Sequence, residues 1–280
     1  MSELDYHFIR NATARLRYAG INFLLDPMLS NKGALPSFAG IAPNPTVDLP
    51  IPVSDILNGI EAVIISHMHG DHFDGEAAAV LDKGLPVFTP HNAAPPNPAN
   101  PSETVLFKSN LLDHGFTDVR EIGSDDFDYV LFEGVTIRQV FARHGKGKIG
   151  DMMGGVNGLI FEAENQPTIY WAGDTILDEG GEIEAILRRF KPDIVIAHTG
   201  GPVIEALSPE ILLMDADQAC ETFRIASREN PNVQIVAIHM DALDHCFSTR
   251  ADLRNTIGAL DDDLRSRIFI PADGETLKLG

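Results

Sequence analysis

Apolar residues along the chain fall into short continuous runs that alternate with stretches of helical spacing. Continuous apolar runs of about four to eight residues are typical of strands that are buried on both faces. These runs predict a hairpin at Leu16–Leu25, two strands each within 128–142 and 155–172, and single strands at Glu61–Ser66, Asp193–Ala197, Val233–His239, Ile268–Ile270 and Thr276–Leu279. Apolar spacing of three and four residues predicts helices at Gly75–Leu81, Glu182–Phe190, Ala216–Arg228 and Asp252–Leu264.

The order of these elements predicts the fold class. Strands and helices alternate along the chain, and no short internal repeat or low-complexity linker separates them. We therefore expect one α/β domain over residues 1–280, with sheets that are covered by helices on the outside. A segment rich in proline and asparagine, Pro90–Pro101, predicts a loop, which is more often a connection than a mobile lid.

The charge balance narrows the choice of partners. The 280 residues include 41 acidic and 21 basic side chains, which gives a formal net charge of −20. A surface this acidic repels phosphate backbones and anionic lipid headgroups, so we expect neither a nucleic acid nor a membrane as partner. An acidic, polar N-terminus and two cysteines, too few for a disulfide framework, favour a cytoplasmic protein with reduced thiols. The oligomeric state, monomer or homo-oligomer, stays open.

Three histidines and an aspartate lie within six residues, at His67, His69, Asp71 and His72. They follow a predicted buried strand and precede a predicted helix, the sheet edge at which α/β proteins place ligands. Imidazole and carboxylate groups bind first-row metals, and residues two apart on extended backbone point the same way. Four such side chains are more than one catalytic ion uses, which favours two metal ions. The alternatives are a solvated histidine-rich turn or a single metal site.

Three further residues of the same chemical type follow predicted strands. His144 comes after a strand in 128–142, Asp174 comes after a strand in 155–172, and His239 ends Val233–His239. One such residue alone is usually a core or capping residue. Three of them, in addition to the histidine cluster, favour a metal site to which distant parts of the chain contribute.

Five motifs of this chain resemble the signature motifs of the metallo-β-lactamase superfamily. In order, they are LLDP (Leu24–Pro27), SHMHGDH (Ser66–His72), ARHGKG (Ala142–Gly147), YWAGDT (Tyr170–Thr175) and AIHMD (Ala237–Asp241). Within the superfamily, the arrangement is most similar to the branch that contains ascorbate-6-phosphate lactonase and related hydrolases. An aspartate stands where β-lactamases of the commonest subclass carry a cysteine, which disfavours antibiotic hydrolysis.

The resemblance implies an αββα sandwich, two β-sheets face to face with helices outside and the site at one sheet edge. It also implies two divalent metal ions, Zn²⁺ in the first place, with Mn²⁺ or Fe²⁺ as alternatives. By the family pattern, His67, His69 and His144 hold the first metal, Asp71, His72 and His239 hold the second, Asp174 bridges the two, and Asp26 is structural.

The same resemblance implies hydrolysis of a small-molecule substrate, a lactone, ester, amide or phosphoester, by a hydroxide that the two ions share. The alternatives are a phosphodiesterase or nuclease of the same superfamily and a non-catalytic metal-binding scaffold. The candidate catalytic residues are Asp71, Asp174 and His198. His198 follows a predicted strand, so it either acts on the substrate or is a structural histidine in a turn.

Two other groups of residues are weaker candidates. Lys146 and Lys148 either bind an anionic group of the substrate or are solvated loop lysines, and the usual exposure of lysine favours the second interpretation. His245, with Asp241 and Asp244, is interpreted as part of a surface loop rather than the mouth of the site.

Overall fold

The computed structural model describes residues 4–93 and 105–280 of the chain. Most of the predicted loop Pro90–Pro101, from residue 94 onward, lies outside the described residues. No helix in the described ranges has the length and apolar character needed to cross a bilayer.

The strands in chain order are β1 Leu4–Arg10, β2 Thr13–Tyr18, β3 Ile21–Leu25, β4 Ala62–Ile64, β5 Val87–Thr89, β6 Val119–Glu121, β7 Tyr129–Phe132, β8 Val135–Phe141, β9 Asn157–Glu162, β10 Ile169–Trp171, β11 Ile194–His198, β12 Gln234–Ile238, β13 Ile268–Phe269 and β14 Thr276–Leu279. The helices are α1 Val53–Leu57, α2 Gly75–Val80, α3 Phe107–Asp113, α4 Gly147–Met152, α5 Glu182–Phe190, α6 Ala216–Glu229, α7 Arg250–Ile257 and α8 Asp262–Arg265.

The strands form two mixed sheets that pack face to face. One sheet has the order β14-β1-β2-β3-β4-β5-β6, and the other has the order β13-β12-β11-β10-β9-β8-β7. Large apolar side chains such as Phe23, Phe161 and Trp171 fill the space between the sheets. Helices α5, α6 and α7 cover the outside of the second sheet, and α1, α2 and α3 cover the outside of the first. The αββα sandwich is therefore confirmed.

Parallel pairing brings the chemistry-bearing residues to one edge of the sandwich. In the second sheet, β10, β11 and β12 run parallel, and Asp174, His198 and His239 lie at or just beyond their carboxyl ends. In the first sheet, β3 and β4 run parallel and lead into Asp26 and His67. Because the carboxyl ends of parallel strands meet at the same edge, these five residues come together although they are far apart in sequence.

The helix predicted over Asp252–Leu264 is wrong in one respect, because the structure divides it into α7 and α8. Helix α7 begins at a capping box in which Thr249 and Asp252 satisfy each other's backbone N–H groups. Asp261 then starts α8 by accepting a hydrogen bond from Leu264 N. A second strong N-cap inside the apolar pattern ends one helix and starts the next.

The apolar pattern missed several elements, namely β1, β5, β6, α1, α3 and α4. Strands β5 and β6 are three residues long, and helices α1 and α4 have five and six residues. Elements this short contain too few repeats for a period of two or of 3.6 to stand out. By contrast, α5 begins and ends at the predicted residues.

Candidate metal centre

The chain brings seven predicted ligands and His198 into one buried cluster at the sheet edge. Ligand atoms of His67, His69 and His144 all lie within 4.8 Å of one another. Ligand atoms of four further residues, His72, Asp174, His198 and His239, satisfy the same limit among themselves. Asp71 adjoins this second group, with its Oδ2 3.2 Å from His239 Nε2 and 3.6 Å from His72 Nε2.

In the first group, backbone carbonyls fix two imidazole rings from outside. His69 Nε2 lies 2.8 Å from the Met153 carbonyl oxygen, and His144 Nδ1 lies 2.7 Å from the Leu212 carbonyl oxygen. A carbonyl only accepts hydrogen bonds, so the outer nitrogen of each ring carries the proton. The inner nitrogens, His69 Nδ1 and His144 Nε2, lie 3.2 Å apart and present their lone pairs to the cluster.

Asp26 fixes one ring in each group. Its Oδ2 accepts a hydrogen bond from His72 Nδ1 (3.0 Å) and another from the Ser66 hydroxyl (2.7 Å). Because the Ser66 proton is donated to Asp26, Ser66 Oγ accepts from His67 Nδ1, 3.0 Å away. Both Nδ1 atoms therefore carry protons, which leaves the lone pairs of His67 Nε2 and His72 Nε2 for the cluster. The predicted structural role of Asp26 agrees with these contacts.

Asp174 lies between the two groups. Its Oδ2 is 3.8, 3.3 and 3.5 Å from the Nε2 atoms of His67, His72 and His144, respectively. Its Oδ1 accepts a hydrogen bond of 2.7 Å from His198 Nδ1. A carboxylate within reach of both groups of imidazoles is the arrangement that a bridging ligand requires.

Left-handed backbone conformations occur at Asp26 and His239, where the chain leaves its strands and enters the cluster. Asp26 and His239 have φ values of 41° and 67°, which are unfavourable for residues other than glycine and cost about 1–3 kcal/mol each. Gly200 allows the β12 end to approach closely, because a Cβ at this position would come within 2.0 Å of the His239 carbonyl oxygen. Gly173, with φ of 66°, turns the chain immediately before Asp174.

Burial and neighbouring charge divide the histidines into two electrostatic classes. Burial lowers the pKa of His67 and His69, and it lowers the pKa of His144 to about 4. Burial also disfavours a charge on His72, but Asp174 and Asp71 outweigh it and raise the pKa of His72 to about 10. The three rings of the first group are therefore neutral, whereas Asp174 and Asp71 place negative charge beside His72 that a bound cation would balance.

The two aspartates of the cluster are ionised for the converse reason. Burial alone would raise the pKa of Asp71 and of Asp174, but the surrounding histidines hold both pKa values well below the usual range. For Asp174, the largest opposing influence is His239, followed by His72. Seven nitrogen and oxygen donors, two of them ionised carboxylates, fit a site for divalent cations.

The geometry gives no support to a direct role of His198 on the substrate. The ring is completely buried, its Nδ1 hydrogen-bonds Asp174, and its Nε2 has no partner among the described residues. Its edge-to-face contact with Trp171, at 5.1 Å between ring centroids, places it inside the fold rather than at an opening. Its one hydrogen bond within the described residues, to Asp174, is the contact through which it would position that carboxylate.

The predicted lysines also lie away from the cluster. Lys146 forms a 2.8 Å ion pair with Glu179 on the surface, which raises the pKa of Lys146. Neither Lys146 nor Lys148 lines the cavity beside the cluster. This position agrees with the interpretation of solvated loop residues.

A cavity of about 210 Å³ opens beside the cluster. Its lining consists of Phe38, His69, Gly70, Asp71, His144, Met153, Ile204, Leu212 and His245. The structure corrects the interpretation of His245 as a surface-loop residue, because this side chain is 7% exposed and faces the cavity. A loop that begins at Phe38 is a natural source of pocket walls, whereas Ile204 carried no signal in the sequence. For His245, its position shortly after the AIHMD motif was the one clue.

Comparisons with known proteins agree with this geometry. A family model described as a β-lactamase superfamily domain matches residues 21–240. The UPF0173 protein YddR of Bacillus subtilis is 32% identical over 273 residues, which cover 96% of this chain and 97% of that protein. A UPF0173 metal-dependent hydrolase of Azorhizobium caulinodans is 27% identical over 72% of this chain and 77% of its own length.

Two solved structures are similar over nearly their whole length. One is described as a possible metal-dependent hydrolase from Veillonella parvula, with a TM-score of 0.85, 31% identity, and coverage of 99% of this chain and 100% of that chain. The other is an isothiocyanate hydrolase from Delia radicum gut bacteria, with a TM-score of 0.79, 33% identity and 98% coverage of both chains.

Proposed function

The chain belongs to the β-lactamase superfamily and to its UPF0173 family of metal-dependent hydrolases, and from this premise we propose that it uses two metal ions to hydrolyse a small, uncharged, largely apolar molecule. It is an enzyme, so the alternative of a non-catalytic scaffold is set aside. The substrate class that we propose is an organic isothiocyanate.

The observation that carries the proposal is the orientation of the ligand nitrogens. In the first group, the rings of His67, His69 and His144 would hold one ion. Asp71, His72 and His239 would hold the second, and Asp174 would contact both. Zn²⁺ is the first ion to test, with Mn²⁺ and Fe²⁺ next, because imidazole and carboxylate suit all three.

The cluster separates residues that can contact a substrate from residues that position ligands. When bound, such ions lower the pKa of water to about 7 and polarise the electrophile. Of the three candidate catalytic residues, Asp71 lines the cavity, so its carboxylate accepts a hydrogen bond from the attacking water and orients it. Asp174 and His198 do not line the cavity: Asp174 would contact both ions, and His198 positions Asp174 through their hydrogen bond.

The walls of the cavity support an uncharged substrate. Phe38, Met153, Ile204 and Leu212 contribute apolar surface, and neither Lys nor Arg is among the described lining residues. An isothiocyanate R–N=C=S is slender and uncharged, and its central carbon is electrophilic. Addition of water to that carbon and cleavage of the C–N bond give the amine R–NH₂ and carbonyl sulfide, which balances the reaction.

The similar isothiocyanate hydrolase supports the same substrate class. A lactone substrate, suggested by the resemblance to the ascorbate-6-phosphate lactonase branch, stays a prediction. A phosphorylated lactone is less suited to this cavity, because an anionic phosphate normally requires Arg or Lys nearby.

The test combines metal analysis with a substrate panel. The purified protein, loaded with Zn²⁺ or Mn²⁺, is analysed for metals per chain and assayed with benzyl isothiocyanate, a γ-lactone, an aryl ester and an aryl phosphodiester. We expect two metals per chain and turnover of the isothiocyanate. His67→Ala and Asp174→Ala should each lose at least about 100-fold in activity.

His91→Ala is the matched control, because His91 is an exposed histidine whose ring pairs with Glu121 and not with a predicted ligand. It should retain both metals and full activity. Full activity of folded His67→Ala would refute the metal assignment. Turnover of the lactone or the phosphodiester without the isothiocyanate would refute the substrate class and leave the metal-dependent hydrolase standing.

A further inference from the structure

A short closed segment forms one side of the cavity mouth. We name residues 35–44 the wall segment. Its ends pair through two backbone hydrogen bonds, Leu35 N to the Asn44 carbonyl oxygen at 2.6 Å and Asn44 N to the Leu35 carbonyl oxygen at 2.9 Å. The Asn44 side chain also donates to the Pro36 carbonyl oxygen at 3.1 Å. The two ends of the wall segment are therefore held together by hydrogen bonds within the segment itself.

One carboxylate, from Asp244, organises the interior of the wall segment. Its two oxygens accept hydrogen bonds from the backbone N–H groups of Phe38, Ala39, Ile41 and Ala42, from the Ser37 hydroxyl and from the Asn44 side-chain amide. In return, Asp244 N donates to Asn44 Oδ1 at 2.8 Å. These contacts join parts of the chain that are 206 positions apart.

The chemistry of Asp244 marks it as a positioning residue. It is 9% exposed, and no lysine or arginine of the described residues forms an ion pair with it. Burial alone would raise the pKa of this carboxyl, but the donors of the wall segment hold the pKa well below its usual value. A buried carboxylate that is compensated by backbone N–H groups fixes the conformation of those groups.

Two side chains that this arrangement positions line the cavity, one from each side of the junction. Phe38 comes from the wall segment and His245 directly follows Asp244. Their rings meet edge to face, with centroids 5.1 Å apart and an interplanar angle of 82°. His69 and Asp71 of the metal cluster line the same cavity. A molecule bound in this cavity can therefore contact the metal cluster and this aromatic pair at the same time.

His245 also carries a polar group that the fold leaves unused. Its Nδ1 is buried and has no hydrogen-bond partner among the described residues. A proton on that nitrogen would be an unsatisfied buried donor, so the neutral ring keeps its proton on Nε2. Because the ring lines the cavity, Nε2–H is the donor that it offers to a bound molecule.

We infer that Phe38 and His245, held together by the carboxylate of Asp244, select the substrate: Phe38 limits the width of the group that enters, and His245 Nε2–H donates a hydrogen bond to its polar end. This inference rests on the proposed function, since it concerns the substrate side of the same site. It assigns a task to two residues outside the metal cluster.

The test uses hydroxamic acids, which bind metal ions without being turned over, so it does not depend on the substrate. Dissociation constants of acetohydroxamic acid and 2-naphthohydroxamic acid are measured by calorimetry on the zinc-loaded protein. In Phe38→Ala, the ratio of the naphthyl to the acetyl constant should fall at least tenfold. Ile41→Ala is the matched control, because Ile41 belongs to the wall segment but its side chain is 67% exposed. Its ratio should stay within twofold of the unmodified protein.

The hydrogen bond is tested with a pair of variants at His245. His245→Leu should weaken both hydroxamates about tenfold, whereas His245→Gln, which keeps a donor near the position of Nε2, should restore binding to within threefold. Metal content and melting temperature are measured for every variant. An unchanged ratio in Phe38→Ala, or equal binding in His245→Leu and the unmodified protein, overturns the inference. If hydroxamates bind as expected but no substrate is turned over, the proposed function fails and the inference stands; if neither metal nor hydroxamate binds, both fail.

Discussion

Replacing Asp26 by asparagine changes the proton positions on two metal ligands without touching a ligand itself. In the native protein, Asp26 accepts from Ser66 N, from the Ser66 hydroxyl and from His72 Nδ1. An asparagine in the same place keeps its oxygen for Ser66 N and turns its NH₂ group toward the other two. His72 Nδ1 must then accept, which moves the proton to Nε2. The Ser66 hydroxyl is freed to donate to His67 Nδ1, with the same result for that ring.

The expected loss of metal affinity in Asp26→Asn follows from the role of such outer hydrogen bonds. A ring whose inner nitrogen is protonated must change tautomer before it can bind a metal, and it then loses the outer hydrogen bond. Loss of an outer partner of a metal-bound histidine typically costs about 10–100-fold in metal affinity. Since Asp26 serves one ring in each group, we expect both ions to bind 10–100-fold more weakly, about 1.4–2.7 kcal/mol each.

The assay is competition for Zn²⁺ against a chelator of known affinity. Asp74→Asn is the matched control, because Asp74 is an equally buried aspartate that accepts from Ser30 N at 2.7 Å and Ala77 N at 2.8 Å but contacts no predicted ligand. It should lose stability without losing zinc affinity. Equal zinc affinities in Asp26→Asn, Asp74→Asn and the unmodified protein would refute the argument that Asp26 sets the tautomers.

Three further outcomes follow from the structure. Removing metal with EDTA should lower the melting temperature by roughly 5–10 °C, since an ion at 100 times its dissociation constant stabilises by about 2.7 kcal/mol; an unchanged melting curve would contradict a metal in the folded protein. Gly173→Ala should lower the free energy of unfolding in urea by about 1–3 kcal/mol and weaken metal binding, because its Cβ would lie 2.7 Å from the Asn157 carbonyl oxygen. In the control Gly181→Ala, the new Cβ meets no atom within 4 Å, so metal binding should stay intact. Asp244→Asn should cost about 2 kcal/mol and speed hydrogen exchange of the wall segment; unchanged exchange there would show that the carboxylate does not hold it.

Local sequence predicted the part of the site that neighbouring residues determine. His67 and His69 are two apart after a buried strand, and that spacing alone places both rings on one side. In the same way, the apolar runs that end at His144, Asp174 and His239 located these residues at strand ends. The resemblance then related each position to a ligand, and the structure brings all of them into one cluster.

Other features depend on contacts between residues that have no relation in sequence. Nothing near Asp244 indicated that it would hold a segment some 200 positions earlier, and so nothing indicated that the rings of Phe38 and His245 would be in contact. For His198, the sequence predicted a place at a strand end, but only the tertiary contacts of its ring with Trp171 and Asp174 decided that it lies buried beside the Asp174 carboxylate.

The range of the forces involved explains why some features could be predicted from the sequence and others could not. The hydrophobic period and the spacing of ligand residues act over a few positions, so the chain by itself determined most of its strands, most of its longer helices and the residue types of the metal cluster. Tautomers, cavity walls and the burial of single polar groups depend on which distant backbone atoms face them, and only the packed tertiary structure decided those.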